Sequence, residues 1–390
     1  LDKALEFRKD VLTKMGSSAE EIAELLDYNE SVFREPDDLE TQQFPITSEA
    51  HLEAWRGYFE TSQKVGPFEA LKSVLPQFRF PIEEGMSENP MYKGACRRGL
   101  DVGYPEGLNL NHPETIDFFI HPTMAGEIPV LIFGDRADFL DCYRALTMRN
   151  EPKPIKDAVG AVIIGGYNNW DRILTYRRRW QATNPDHDWD VAFKELIPQK
   201  HLYKDRFILL SDGPYSGVAG ADLGFSEEEW RRLSRTIRLE HECAHYFSKR
   251  ILNSMRNNLI DELMADYAGI VAATGSFKAD WFLRFLGLEA FPNFRESGRL
   301  SQYRGSLSDG AFKTLQALAH AAAHQVEQFD RSHFSDSGHT AATRAATLLA
   351  ISRLTMEQIG SDRGSELLAE HYPENLNFGS GDTNAGPPPS

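Results

Sequence analysis

The amino-acid sequence predicts an α+β protein in which a small mixed sheet precedes a mainly helical C-terminal lobe. Three observations carry that expectation. Four short apolar runs between residues 116 and 210 have the length and the flanking turn formers of strands. Beyond Phe225, apolar residues recur at helical spacing almost to the end. Between residues 77 and 113, Pro, Gly and Asn are frequent and no period is visible.

Each element has a local reason. Residues 17–33 place Ile22, Leu25 and Leu26 on one helical face behind serines suited to capping. A second helix is expected over residues 48–61 and a short one over 67–74. The stretch 77–113 reads as a long loop-rich connection, unusual enough to imply that it packs over something. Strands are expected at 116–120, 128–133, 158–164 (ended by Gly165 and Gly166) and 206–210 (ended by Asp212-Gly213-Pro214). Between the last two, residues 169–181 form a helix whose Arg177, Arg178 and Arg179 make a solvated face. Gly213, Gly217, Gly220 and Gly224 are followed by no Lys-Ser/Thr pair, so they form no phosphate loop.

Ser226 and Glu229 then spell a capping box, with Phe225 and Trp230 placed for the accompanying hydrophobic staple. The stripe Trp230, Leu233, Ile237, Ala244, Phe247 and Ile251 carries this helix to about Leu252. A further helix starts at Asn258 and stops at Gly275, and two more cover 311–329 and 340–359. The expected division is an N-terminal helical region 1–75, a mixed lobe 76–252, a helical lobe 253–375 and a disordered tail 376–390, rich in Gly, Pro, Ser and Asn near its end.

Composition narrows the function. With 42 basic against 58 acidic side chains the net charge is −16, which repels phosphate backbones and argues against nucleic acid as a partner. No run approaches the roughly 18 apolar residues that cross a bilayer, so no membrane partner is expected. Three scattered cysteines suit a reducing compartment, so cytoplasm is the expected location, although a chain opening at Leu1 leaves room for a removed leader.

The chemistry is concentrated in His241-Glu242-Cys243-Ala244-His245. Histidines four apart share one side of a helix and can reach one ion, while Glu242 can address the open coordination position. His241 follows Ile237 by four residues and so faces the interior. In the next helix Glu262 and Asp266 are again four apart. A catalytic zinc takes three protein ligands and a water, so Glu262 can be the third ligand. Asp266 can accept from the free ring nitrogen of a ligating histidine. Ala265 and Gly269 permit close helix approach.

The pattern His241-Glu-x-x-His245 followed by Glu262-x-x-Ala265-Asp266-x-x-Gly269 resembles the gluzincin metallopeptidases, including their thermolysin-like and prenyl-protein-peptidase-like groups. It covers about 35 residues, His241 to Gly275. Ser248 and Ile251 stand where a metzincin would have a glycine and its third histidine. The resemblance implies a zincin-like two-lobed peptidase holding one zinc ion per chain on His241, His245 and Glu262. It further implies Asp266 behind His241 and Glu242 as general base. Gluzincins also use a Tyr or His after the third ligand to stabilise the oxyanion; the candidates are His320, His324, His333, His339, Tyr303 and Arg304, with His339 preferred. They commonly bind extended peptide on the strand before the metal helix, which points to Leu209, with Tyr215 in a flap over the cleft. The expected activity is hydrolysis of peptide or protein substrates. Its rivals are a zinc hydrolase of a non-peptide amide and a non-catalytic zinc-containing binding or regulatory protein.

Overall fold

The computed structural model describes residues 3–255, 258–334, 338–374 and 376–378. It is mixed α+β and mostly helical, with one four-stranded sheet and a two-residue parallel pairing of Gln43–Phe44 with Asn377–Phe378. Among the described residues, no helix is long and apolar enough to cross a membrane. Of the tail expected to be disordered over 376–390, Asn377–Phe378 pairs with Gln43–Phe44, and 379–390 lie outside the described residues. Two compact units divide the chain. One comprises the chain up to Ile46, Thr123–Ala125 and the chain from Pro214 onward; the other comprises Thr47–Pro122 and Gly126–Gly213.

The second unit contains the sheet. Its strand order is Ile116–His121, Ile128–Phe133, Lys204–Ser211, Ala161–Asn168. Ile128–Phe133 runs antiparallel to the first strand, Ile116 opposite Phe133, and parallel to the third, Val130 opposite Ile208. All six of its residues are buried, as an interior strand covered on both faces requires. The last strand does not stop at Gly165 and Gly166. Gly166 takes φ 71°, the register shifts there, and pairing resumes with Tyr167 opposite Asp205, so the glycines make a bulge rather than an end. Trp55, Phe118, Phe133, Phe139 and Phe207 fill the core beside this sheet.

Sequence position 77–113 is less irregular than expected. It contains the helix Pro90–Arg98, capped by Asn89, whose side chain accepts from the Met91 and Tyr92 amides. Proline at the first helical position and Gly99 at φ 66° beyond the last complete the start and stop signals. The helices Lys3–Lys14, Arg136–Thr147 and Ala279–Leu286 were likewise not foreseen from periodicity.

The first unit is helical, and its composition corrects the expected division. The helix Glu227–Ile251 packs along Leu259–Thr274 and belongs with the C-terminal helices, not with the sheet. The N-terminal helices join the same unit: buried Arg8 pairs with fully buried Glu357. The helix expected over 340–359 is two, Ala341–Ser352 and Met356–Ile359, because Thr355 and Gln358 form a fresh capping box.

Candidate metal centre

Two helices build the centre, and both begin where their caps demand. Ser226 accepts from the Glu229 amide while Glu229 returns to the Ser226 amide, and Phe225 stacks on Trp230 with centroids 6.3 Å apart. Glu227, Glu228 and Glu229 in the first turn and Lys249 and Arg250 in the last match the helix dipole. Asn258 caps the second helix by accepting from the Asp261 amide, and Gly275 ends it at φ 80°. The two helices approach until a side chain at Gly269 would have no room: a Cβ there would lie 2.5 Å from the Ile237 carbonyl oxygen.

That approach brings His241, His245 and Glu262 together, all buried. The two Nε2 atoms are 3.1 Å apart, and Glu262 oxygens lie 3.6 Å from His241 Nε2 and 3.7 Å from His245 Nε2. Ligands held tetrahedrally at zinc-like distances are separated by about 3.3 Å, and one atom from each of the three side chains lies within 4.8 Å of the others. Two imidazole nitrogens facing each other at 3.1 Å need a proton or a metal ion between them. Glu262 Oε2 is buried and accepts no hydrogen bond among the described residues. The group could hold a metal ion.

The rings are oriented from behind. His241 Nδ1 lies 2.9 Å from Asp266 Oδ1 and 2.8 Å from the Tyr215 hydroxyl, which itself donates to Asp266 Oδ1 at 2.6 Å. Arg299 donates to Asp266 Oδ2, and its Nη1 donates to the Tyr215 hydroxyl at 2.9 Å. These contacts assign the Nδ1 proton, leaving the Nε2 lone pair for the cluster. His245 has its own carboxylate, Asp261, with Oδ2 3.3 Å from Nδ1.

Burial and charge set the protonation. Burial pushes the Glu242 carboxyl up, against the pull of His245 and His241. For His245 burial favours the neutral ring, yet Asp261, Glu262 and Glu242 together raise it to about 10. Asp266 is fully buried, which would raise it, but Arg299, His241 and Tyr215 hold it below the ordinary carboxylate range.

The expected metal ligands and Asp266 are thus brought together; three other expectations are corrected. Leu209 lies on an interior strand, fully buried between Leu131 and Val162, so no free edge exists there for a peptide. Tyr215 does not sit in an open flap. Its turn is fastened to the metal helix through Ser234 (2.9 Å), Arg238 (3.0 Å) and Trp230 (2.6 Å), and its ring is buried behind His241. His339 Nε2 lies 3.1 Å from Asp330 Oδ1, the oxygen that also accepts from Tyr267, and only 4% of its side chain is exposed. It is enclosed in that cluster and offers no face to a reacting carbonyl.

Asp261 and Arg299 went unread. Asp261 directly precedes Glu262, and adjacency on a helix does not reveal that each faces a different nitrogen of the same site. Arg299 stands in a short 3-10 turn, Arg299–Tyr303, with no periodicity around it. The same turn carries Tyr303, whose phenol is pushed above its ordinary range by burial and by the Glu262 carboxylate.

The family described as "Family of unknown function (DUF7005)" matches residues 10–363. The chain belongs to that family. Every side chain of the centre lies inside the span matched by DUF7005. Comparison with curated proteins and with solved structures finds no match.

Proposed function

We propose that the chain is a zinc-dependent peptidase with Glu242 as its general base. The observation that carries this reading is the place of Glu242. It shares the burial of the three metal-binding side chains, at 8% exposure, yet contributes no atom to their cluster. A purely structural zinc takes four protein ligands and has no use for a neighbouring base; three donors beside a base suit catalysis.

His241, His245 and Glu262 would hold the ion. When bound, zinc supplies Lewis-acid polarisation of a carbonyl and a water acidic enough to lose its proton near neutral pH. Glu242 receives that proton on a carboxylate oxygen and delivers it to the departing amine. Asp266 and Asp261 keep the Nδ1 protons of the two histidines in place. Tyr303, close enough to Glu262 for that carboxylate to raise its phenol, replaces His339 as the donor that meets charge developing on the carbonyl oxygen. The net charge of −16 steers neutral or basic peptides toward the protein more readily than acidic ones. The free cysteines Cys96, Cys142 and Cys243 suit a reducing compartment such as the cytoplasm.

The test is Glu242→Gln in the full chain. Metal analysis is expected to find about one zinc per chain in both proteins, as three ligands of one site require. Cleavage of a diverse peptide library, read by mass spectrometry, is expected to fall by roughly 10²–10⁴-fold in the variant. Undiminished cleavage by E242Q would refute the assignment, and a wild type that cuts no peptide would remove the peptidase reading.

A further inference from the structure

Exposed apolar side chains are unevenly spread over the molecule. Ten large ones are exposed among the described residues, and seven of them lie within 91–104 and 174–197. The segments leading to them touch: Trp170 Nε1 donates to the Cys96 carbonyl at 2.8 Å, and a Cβ at Gly99 would lie 2.5 Å from the Trp170 ring. Trp170 opens the helix Trp170–Thr183, which forms a hairpin with Trp189–Leu196. Trp170 stacks on Phe193 and Trp180 meets Trp189 edge-on, so aromatic rings fill the seam between the two helices. Leu174 and Arg178, four residues apart, share a side of the first helix away from that seam, and both are exposed. Val191 and Glu195 do the same on the second. Each helix thus presents an apolar residue followed one turn later by a charge, and the two charges are opposite. Arg178 donates to the Thr175 hydroxyl, and neither it nor Glu195 has an ion-pair partner among the described residues.

We propose that this hairpin is the face on which two copies of the chain pair about a two-fold axis, Arg178 of each copy lying opposite Glu195 of the other. Charge selects the occupant. An anionic surface or an acidic peptide would meet Asp190 and Glu195, both exposed, on a chain of net charge −16. A basic partner would meet Arg178 and Arg179, also exposed. A second copy turned through half a revolution carries both signs in reverse, which is the self-complementarity that an isologous contact requires. Leu174, Val191 and Ile197 then lose water at the centre of the contact, and the charges set its register from the rim. The arginine face that the sequence marks as solvated becomes the polar border of an interface.

Sedimentation velocity of the full chain tests this through a charge exchange. The wild type is expected to dimerise reversibly, while Arg178→Glu and Glu195→Arg should each weaken the dimer by about tenfold or more, because each sets like charges opposite one another. Mixing R178E with E195R is expected to restore dimers, since in the mixed pair every acid again faces a base. Both exchanges keep good helix formers at exposed positions, so Tm should stay at the wild-type value. Val191→Asp should abolish the dimer without touching either charge. A wild type that stays monomeric at its highest soluble concentration would overturn the proposal. So would an R178E or V191D that dimerises as the wild type does, or a mixture of R178E and E195R no more dimeric than either variant alone.

Discussion

Asp266→Asn should damage both the metal site and the fold, and the structure gives the size of each effect. The carboxylate is fully buried, receives the Tyr215 hydroxyl and His241 Nδ1, and is ion-paired with Arg299, whose side chain is 11% exposed. Neutralising it leaves a buried guanidinium without its main counter-charge. Removing one partner of such a pair typically costs 3–5 kcal/mol. Here Glu262 Oε2, 3.8 Å from Arg299 Nη1, takes up part of the imbalance, so a loss of about 3 kcal/mol is expected. For a unit of roughly 200 residues that lowers Tm by roughly 6–12 °C. Separately, an amide behind His241 is a poorer acceptor than a carboxylate, and zinc affinity should fall about 10- to 100-fold. Scanning calorimetry of the chelator-treated proteins reads the first effect, and chelator competition reads the second. A Tm within 1 °C of wild type would refute the view that Asp266 and Arg299 hold this centre together, wherever the affinity falls.

Two further outcomes follow from packing and from charge. Gly269→Ala places a methyl group 2.5 Å from the Ile237 carbonyl oxygen, so the helices Glu227–Ile251 and Leu259–Thr274 must separate; urea denaturation should show a loss of about 1–3 kcal/mol, and an unchanged midpoint would contradict the close approach. His51 is 1% exposed, and burial lowers its pKa to about 4, against 6.5 in the unfolded chain. Below pH 6.5 the unfolded state therefore binds more protons, so stability should decline as pH falls and level off near 4, a total of about 3 kcal/mol. Denaturation at a series of pH values should show a flatter profile for His51→Gln, and parallel profiles would count against a neutral buried ring.

The parts of the centre legible in the sequence were those carried by a period or a cap. Helical spacing placed His241 with His245 and Glu262 with Asp266, and the caps at Ser226 and Asn258 and the stop at Gly275 stand as expected. Ala265 and Gly269 marked the tight crossing. What was lost depends on contacts between distant segments. Tyr215, 26 residues before its partner His241, and Arg299, 33 after Asp266, reach the site from short turns whose composition says only that they are turns. The sequence marks Lys204–Ser211 and both its neighbours as strands but not their order in the sheet, and position in a sheet decides whether an edge is free. Gly165 and Gly166 misled because a glycine in a strand reads as an end when it can equally bulge. The helix Pro90–Arg98 was missed although Asn89 and Pro90 announce it, since its few apolar residues give a weak period.

The unit that contains His241, His245 and Glu262 is assembled from segments that precede and follow the sheet unit in sequence. That arrangement imposes an order on synthesis. Lys3–Lys14 emerges from the ribosome long before its partners, since Glu357 follows Arg8 by 349 residues. The four strands of the sheet all emerge earlier than Glu227–Ile251 and Leu259–Thr274. At about 5–20 residues per second, roughly 17–70 seconds separate Arg8 from Glu357. Through that interval the N-terminal helices have no completed unit to join. In newly made chains Lys3–Lys14 should therefore stay protease-sensitive until Glu357 has left the ribosome, long after the strand segments have done so.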